Sequence, residues 1–144
     1  MAVKPIPEGY HTATPYLIVP KVAELIEFLK AAFDATEINR HTDPQGNIRH
    51  AEVKIGDSPI MMGQANEQWK SMPSMIHLYV HDADAVYSQA VAAGATSLMA
   101  PADQFYGDRS AGVQDASGNM WWIATHVEDV TPEEMEKRAA AAMK

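Results

Sequence analysis

Thr14-Pro-Tyr-Leu-Ile-Val19 and, sixty-one residues later, Met75-Ile-His-Leu-Tyr-Val80 read as one strand written twice, each running straight into an amphipathic helix. Read as copies, they make the chain an internal duplication, with function expected where the copies meet. Around the first copy, Ala13, Pro15, Leu17 and Val19 alternate with Thr12, Thr14, Tyr16 and Ile18, which predicts a two-faced strand over 12–19. Val22, Leu25, Ile26, Leu29 and Phe33 then recur at helical spacing and give 21–33 one apolar stripe to lay on that strand. Residues 36–42 and 48–55 flank Asp43-Pro-Gln-Gly46, a tight-turn sequence, and Gly56-Asp-Ser58 turns the chain again into 59–63. The first unit is thus β-α-β-β-β.

Past the polar stretch 64–74 the plan repeats. A strand over 75–80 leads to a helix over 83–93 stopped by Gly94, then to strands over 95–99, 110–115 and 119–126, the last two joined by Asp115-Ala-Ser-Gly118. Thr131-Pro-Glu-Glu134 has the form of a capping box with proline at the first helical position, and it opens an alanine-rich helix over 131–144. The expectation is one α+β domain over 8–130, with modules at about 10–64 and 74–128 and a C-terminal helix.

Composition bounds the chemistry. With 144 residues, 47% of them apolar, the chain can bury one real core. No apolar run reaches the roughly 18 residues of a membrane span, and the first ten residues lack the plan of a signal peptide, so a cytoplasmic protein is expected. The absence of cysteine removes disulfides, thiolate metal sites and thiol nucleophiles. A net charge of -8 without a basic cluster argues against a nucleic-acid partner and leaves a small molecule as the expected one.

The paired modules, with Thr14–Val19, Arg49-His-Ala-Glu-Val-Lys-Ile-Gly-Asp-Ser-Pro59 and Gln104-Phe-Tyr-Gly-Asp-Arg109 in order, resemble the vicinal oxygen chelate superfamily. The resemblance is to its glyoxalase/bleomycin-resistance type, near the PhnB-like proteins. It implies two half-cups built from βαβββ modules, commonly in a homodimer, with a divalent metal held by His or Glu of the first and last strands of each module. Laid on that pattern, the four ligand positions fall on Thr14, Met62, Met75 and Trp122. None of these suits a hard divalent ion, which prefers carboxylate oxygen or imidazole nitrogen. The resemblance therefore points to a metal-independent small-molecule binder of the bleomycin-resistance kind, sequestering a drug or metabolite. The second-module turn, commonly Asp-Pro-Phe-Gly-His in these relatives, stands here as Asp115-Ala-Ser-Gly-Asn119, so no role of that histidine transfers to Asn119.

Alternation supplies the expected lining. Ala51, Val53 and Ile55 take the helix side, which turns His50, Glu52 and Lys54 toward the cup. Met75, His77 and Tyr79 face inward opposite Ile76, Leu78 and Val80, and the last strand sends Met120, Trp122, Ala124 and His126 the same way. Thr12, Thr14 and Tyr16 complete the lining, and the resemblance adds Met62, in line with the apolar-with-few-polar recipe of ligand sites. Trp121, on the other face, is expected in the core. His77 can be a displaced ligand, a general base or a hydrogen-bonded core histidine. In the loop 103–110, Tyr106 lies near the mouth, and Arg109 can clamp a carboxylate or phosphonate, or pair Asp108 or Asp103. The rival reading is a lyase, isomerase or dioxygenase holding Fe, Mn or Zn at His50, Glu52 and His77.

Overall fold

The computed structural model describes residues 2–143 and divides after Ser74 into two compact units, each a four-stranded mixed sheet covered on one face by a helix. The first unit runs β1 (Tyr16–Val19), α1 (Val22–Phe33), β2 (Thr36–Thr42), β3 (Ile48–Ile55) and β4 (Ser58–Gln64), in sheet order β1-β4-β3-β2. The second runs β5 (Met75–Tyr79), α2 (Ala83–Ala92), β6 (Thr96–Asp103), β7 (Asp108–Gln114) and β8 (Met120–His126), in the matching order β5-β8-β7-β6. A third helix, α3 (Pro132–Ala142), follows. In both units the first strand pairs parallel with the last, because the helix carries the chain across the sheet, and the other neighbours are antiparallel. The duplicated β-α-β-β-β order expected from the sequence is the order found.

The first core lies between α1 and its sheet. Val22, Leu25, Ile26 and Leu29 of the helix, Leu17 and Val19 of β1, Ala51 and Val53 of β3, and Ile60 and Met62 of β4 are all at most 3% exposed. The helix ends where Asp34 turns left-handed (φ 56°) and returns its N–H to the Leu29 carbonyl. In the second unit the helix contributes small residues, Ala83 and Ala90, against Ala111, Val113 and Ile123, and the bulk comes from Trp121. That indole is wholly buried and donates its N–H to Asp115 at 2.9 Å, so its one polar atom is satisfied. Asp115 also takes the Asn119 backbone N–H (3.0 Å) and side-chain amide (3.0 Å). Asn119 is fully buried and holds the turn into β8.

Most boundaries fall within a residue of expectation, and the larger differences lie in β1, β6 and the turn that follows β6. β1 begins at Tyr16 rather than residue 12, since Pro15 has no N–H to extend the ladder, although its carbonyl accepts from Met61 at 3.0 Å. Thr14 therefore precedes the strand and is half-buried. β6 continues to Asp103, past Pro101, because it is an edge strand whose register breaks around Met99 absorb a residue without a donor. The segment expected to be a loop over 103–110 is consequently a tight turn, closed by Gln104 N–H to Asp108 O (2.7 Å), and Asp108 already belongs to β7. Gly107 in that turn has φ 99°, and its carbonyl accepts from Val127 and Glu128 at 2.9 and 3.1 Å. A Cβ there would stand 2.2 Å from the Glu128 carbonyl oxygen, so only glycine fits.

Candidate functional site

Each sheet leaves the face opposite its helix for other work. In the first unit the register places Tyr16 and Ile18 of β1, Met61 and Gly63 of β4, His50 and Glu52 of β3, and Asn39 and His41 of β2 on that open face. Met62 is not among them. It is level with Leu17 and Ala51, and all three are at most 1% exposed, so this expected wall residue is a core residue and Met61 takes its place. The duplication makes the same point, because Tyr16 pairs with Met61 just as His77 pairs with Trp122.

Glu52 is the hub of the first face. It is 9% exposed, and its carboxylate accepts from the Tyr10 hydroxyl, the Asn39 amide (2.9 Å) and His50 Nε2 (2.9 Å). Burial alone would push the carboxyl up, but the three donors outweigh it and hold the group below the ordinary glutamate range. The same contact, aided by burial, pushes the Tyr10 phenol up to about 12. His50 Nδ1, on the other side of the ring, meets the Tyr16 hydroxyl at 3.2 Å. Tyr16 can lie this way because β4 offers glycine beneath it: a Cβ on Gly63 would stand 2.8 Å from the phenol oxygen and 2.9 Å from the Arg49 carbonyl. Beside the phenol opens a cleft of about 420 Å³ lined by Tyr16, Ile18, Gly63, Gln64, Asn66, Trp69 and Arg49. Arg49 is engaged with Asp43 at 2.9 Å.

Trp69, Asn66 and Gly63 were not singled out as wall residues by the sequence. Trp69 sits in what reads as a polar linker, yet Asn66 folds that segment into a turn by accepting from the backbone N–H of Gln68 (2.9 Å) and Trp69 (2.7 Å). Met72 then lies along β1 and donates to the Ile18 carbonyl at 3.1 Å. An aromatic in an otherwise polar connection was the available signal.

On the open face of the second unit, Met75, His77 and Tyr79 of β5 are exposed, and Trp122 of β8 lies flat across Gly112 of β7, where a Cβ would meet the indole at 2.3 Å. His77, Trp122, Tyr106, Met99, Gln104 and Ser110 line a recess of about 310 Å³. Asp108, 3% exposed, accepts from Tyr79 (2.8 Å) and His126 Nδ1 (2.9 Å), while His126 Nε2 meets Asp129 at 2.7 Å. Burial opposes ionisation of Asp108, but those donors prevail and lower it, and the hydrogen bonds to Asp108 and Asp129 raise His126. Arg109, in contrast, does not face the recess. Its side chain forks onto Asp84 at the start of α2 (2.7 and 3.0 Å) and touches Asp103 (3.2 Å), which follows from strand alternation once Asp108 takes the open side. The ligand clamp expected of Arg109 is thus corrected to the pairing alternative, with Asp84 as the main partner.

A match to the model of the Glyoxalase/Bleomycin resistance protein/Dioxygenase superfamily covers residues 10–123. The chain belongs to that superfamily. Within reach of it, the Mycobacterium bovis protein Mb0911c is 36% identical over 85% of this chain and 88% of its own length. Among solved structures, TioX from Micromonospora sp. ML1 superposes with a TM-score of 0.69 at 22% identity, over 80% of this chain and 99% of that one. A PhnB protein from Bacillus cereus does so with 0.64 at 16% identity, over 80% and 99%. These likenesses at low identity speak for the shared fold. The positions to which the resemblance assigns metal ligands hold, in the first unit, the Thr14 hydroxyl and the thioether of Met62, for which the register substitutes Met61, and in the second the Met75 thioether and the Trp122 indole. None of these side chains by itself is a usual ligand for a hard divalent ion. Among the described residues no three His, Asp or Glu side chains are grouped to hold an ion. His50 and Glu52 belong to the first unit and His77 to the second.

Proposed function

We propose that this chain is a metal-independent binder of a small, planar, largely apolar molecule, acting in the cytoplasm as a homodimer and sequestering a drug or metabolite. The observation that carries the reading is the donor-poor set at Thr14, Met61, Met75 and Trp122, beside open faces walled by Tyr16, Trp69, Met61 and Trp122. Aromatic walls with a few placed polar atoms are what a cleft of drug-like size uses to hold a flat ligand. In this reading His50 and Glu52 supply polar contacts on the first unit's face, and His77, Tyr79 and Tyr106 on the second's.

Untagged protein from metal-replete medium should contain no stoichiometric Fe, Mn or Zn, and a panel of planar heteroaromatic compounds should include ones that raise its melting temperature. Trp69→Ala should weaken the best of them about tenfold, which is about 1.4 kcal/mol. Stoichiometric metal that disappears in His77→Ala would overturn the proposal in favour of a metalloenzyme. A panel without a single thermal shift would overturn it in favour of a face used for protein contacts.

A further inference from the structure

The open face of the first unit holds a hydrogen-bonded chain of three side chains, Tyr16, His50 and Glu52. Glu52 is ionised and can only accept, so His50 must present an N–H from Nε2 to it. A neutral imidazole carrying its proton on Nε2 has a bare lone pair on Nδ1. With the ring in that state the Tyr16 hydroxyl, 3.2 Å away, is the donor, and its proton points at a base. Tyr10 and Asn39 occupy the remaining carboxylate positions and fix the orientation of Glu52.

We propose that Tyr16, His50 and Glu52 form a proton relay in which Tyr16 is the acid–base group presented to whatever lies in the cleft along Ile18, Gly63 and Trp69. His50 and Glu52 are positioning residues. When Tyr16 reacts, its O–H proton passes to His50 Nδ1, and the imidazolium so formed is stabilised by the carboxylate on Nε2. The phenol oxygen gains nucleophilic and basic character without a metal or any cofactor. The surroundings suit this role. From β2, His41 stands 6.4 Å away by ring centroid and Asn39 donates to the carboxylate; from the N-terminal segment, Tyr10 does so too; and β4 presents Met61 and Gly63, which carry no charge. The imidazolium thus has one counter-charge, Glu52, in direct contact. The relay requires Tyr16 to be reachable, and its residue is 48% exposed. The inference deepens the proposed binding function by giving the same cleft a reactive wall, but it stands on bonds within the protein.

The probe is phenylmethanesulfonyl fluoride, which needs no knowledge of the natural ligand. On labelling, the Tyr16 O–S bond forms, the S–F bond breaks, fluoride leaves and the phenol proton goes to His50. Peptide mapping at pH 7 should show Tyr16 labelled at least about tenfold faster than Tyr106, which is 38% exposed and serves as internal reference. His50→Gln and Glu52→Gln should each bring Tyr16 down to the Tyr106 rate while Tyr106 itself is unchanged. Equal rates for the two tyrosines in the native chain overturn the relay without recourse to any variant. Rapid Tyr16 labelling that persists in a folded His50→Gln protein overturns it as well. Neither result bears on whether a planar ligand shifts the melting temperature, so the relay and the binding function fail separately.

Discussion

One glycine on each open face does what no other residue could, by making room for a ring. Tyr16 lies over Gly63, and Trp122 lies over Gly112, at distances that leave no space for a methyl group. Gly63→Ala places a Cβ against the Arg49 carbonyl as well as the phenol, so the backbone as well as the side chain must yield. Overpacking of that kind costs about 1–3 kcal/mol, and urea denaturation should record it, together with loss of the fast Tyr16 labelling. Neither glycine was legible as a site residue, because a missing side chain has meaning only once its neighbour's rotamer is known. The polar members of the face were legible: His50 and Glu52 fall two apart on a strand whose other face is Ala51, Val53 and Ile55, and simple alternation places them. Met62 failed for the complementary reason. Its strand, Pro59-Ile-Met-Met-Gly63, has no polar-apolar alternation to set the phase, and the cross-strand register with Ala51 decides it.

At the scale of elements, the helices differ in what they hold. α1 buries Val22, Leu25, Ile26, Leu29, Ala32 and Phe33 on its sheet, whereas α3 buries no residue. Leu29→Ala, at a position fully closed to solvent, should cost roughly 2–5 kcal/mol by denaturant titration. Thr131→Ala, which removes the cap on the Glu134 N–H at 3.2 Å, should leave the global midpoint nearly unchanged. Its loss of about 1 kcal/mol falls on α3, and amide exchange there should speed up about fivefold. Both helix limits and the hairpin Thr36–Ile55 were readable from apolar spacing and turn residues. β6 runs past residue 99, where the sequence ends it, because its place at the sheet edge makes Pro101 harmless there. The turn after it is shorter than the expected loop over 103–110, and with Asp108 already in β7 Arg109 turns to the face that carries α2 and pairs with Asp84.

At the scale of the molecule, the two open faces carry buried carboxylates whose ionisation is tied to the folded state. Glu52 and Asp108 are held below their ordinary values by their donors, so each favours folding while ionised. That contribution is complete above the unfolded values of about 4 and is lost as pH falls through the lower folded ones. His126 works in the opposite sense: raised by Asp108 and Asp129, it favours folding below its unfolded value of about 6.5 and ceases to as pH rises through the higher folded one. Its half-exposed ring makes this second limb shallow. The melting temperature should accordingly be highest between about pH 5 and 6.5, fall steeply below pH 4 and gently above pH 7. Glu52→Gln should flatten the acid limb. A steep alkaline loss with a flat acid side would contradict the assignment.

The strap that brings Trp69 to the cleft is the same one that lays Met72 along the outer rim of β1, with Ser71 reaching the same Ile18 carbonyl. An unsheathed parallel rim is where sheets recruit strangers and grow into fibres. A guest that grips the indole would fasten the strap, and by reciprocity a fastened strap would retain the guest, so occupancy and resistance to aggregation become two readings of a single equilibrium.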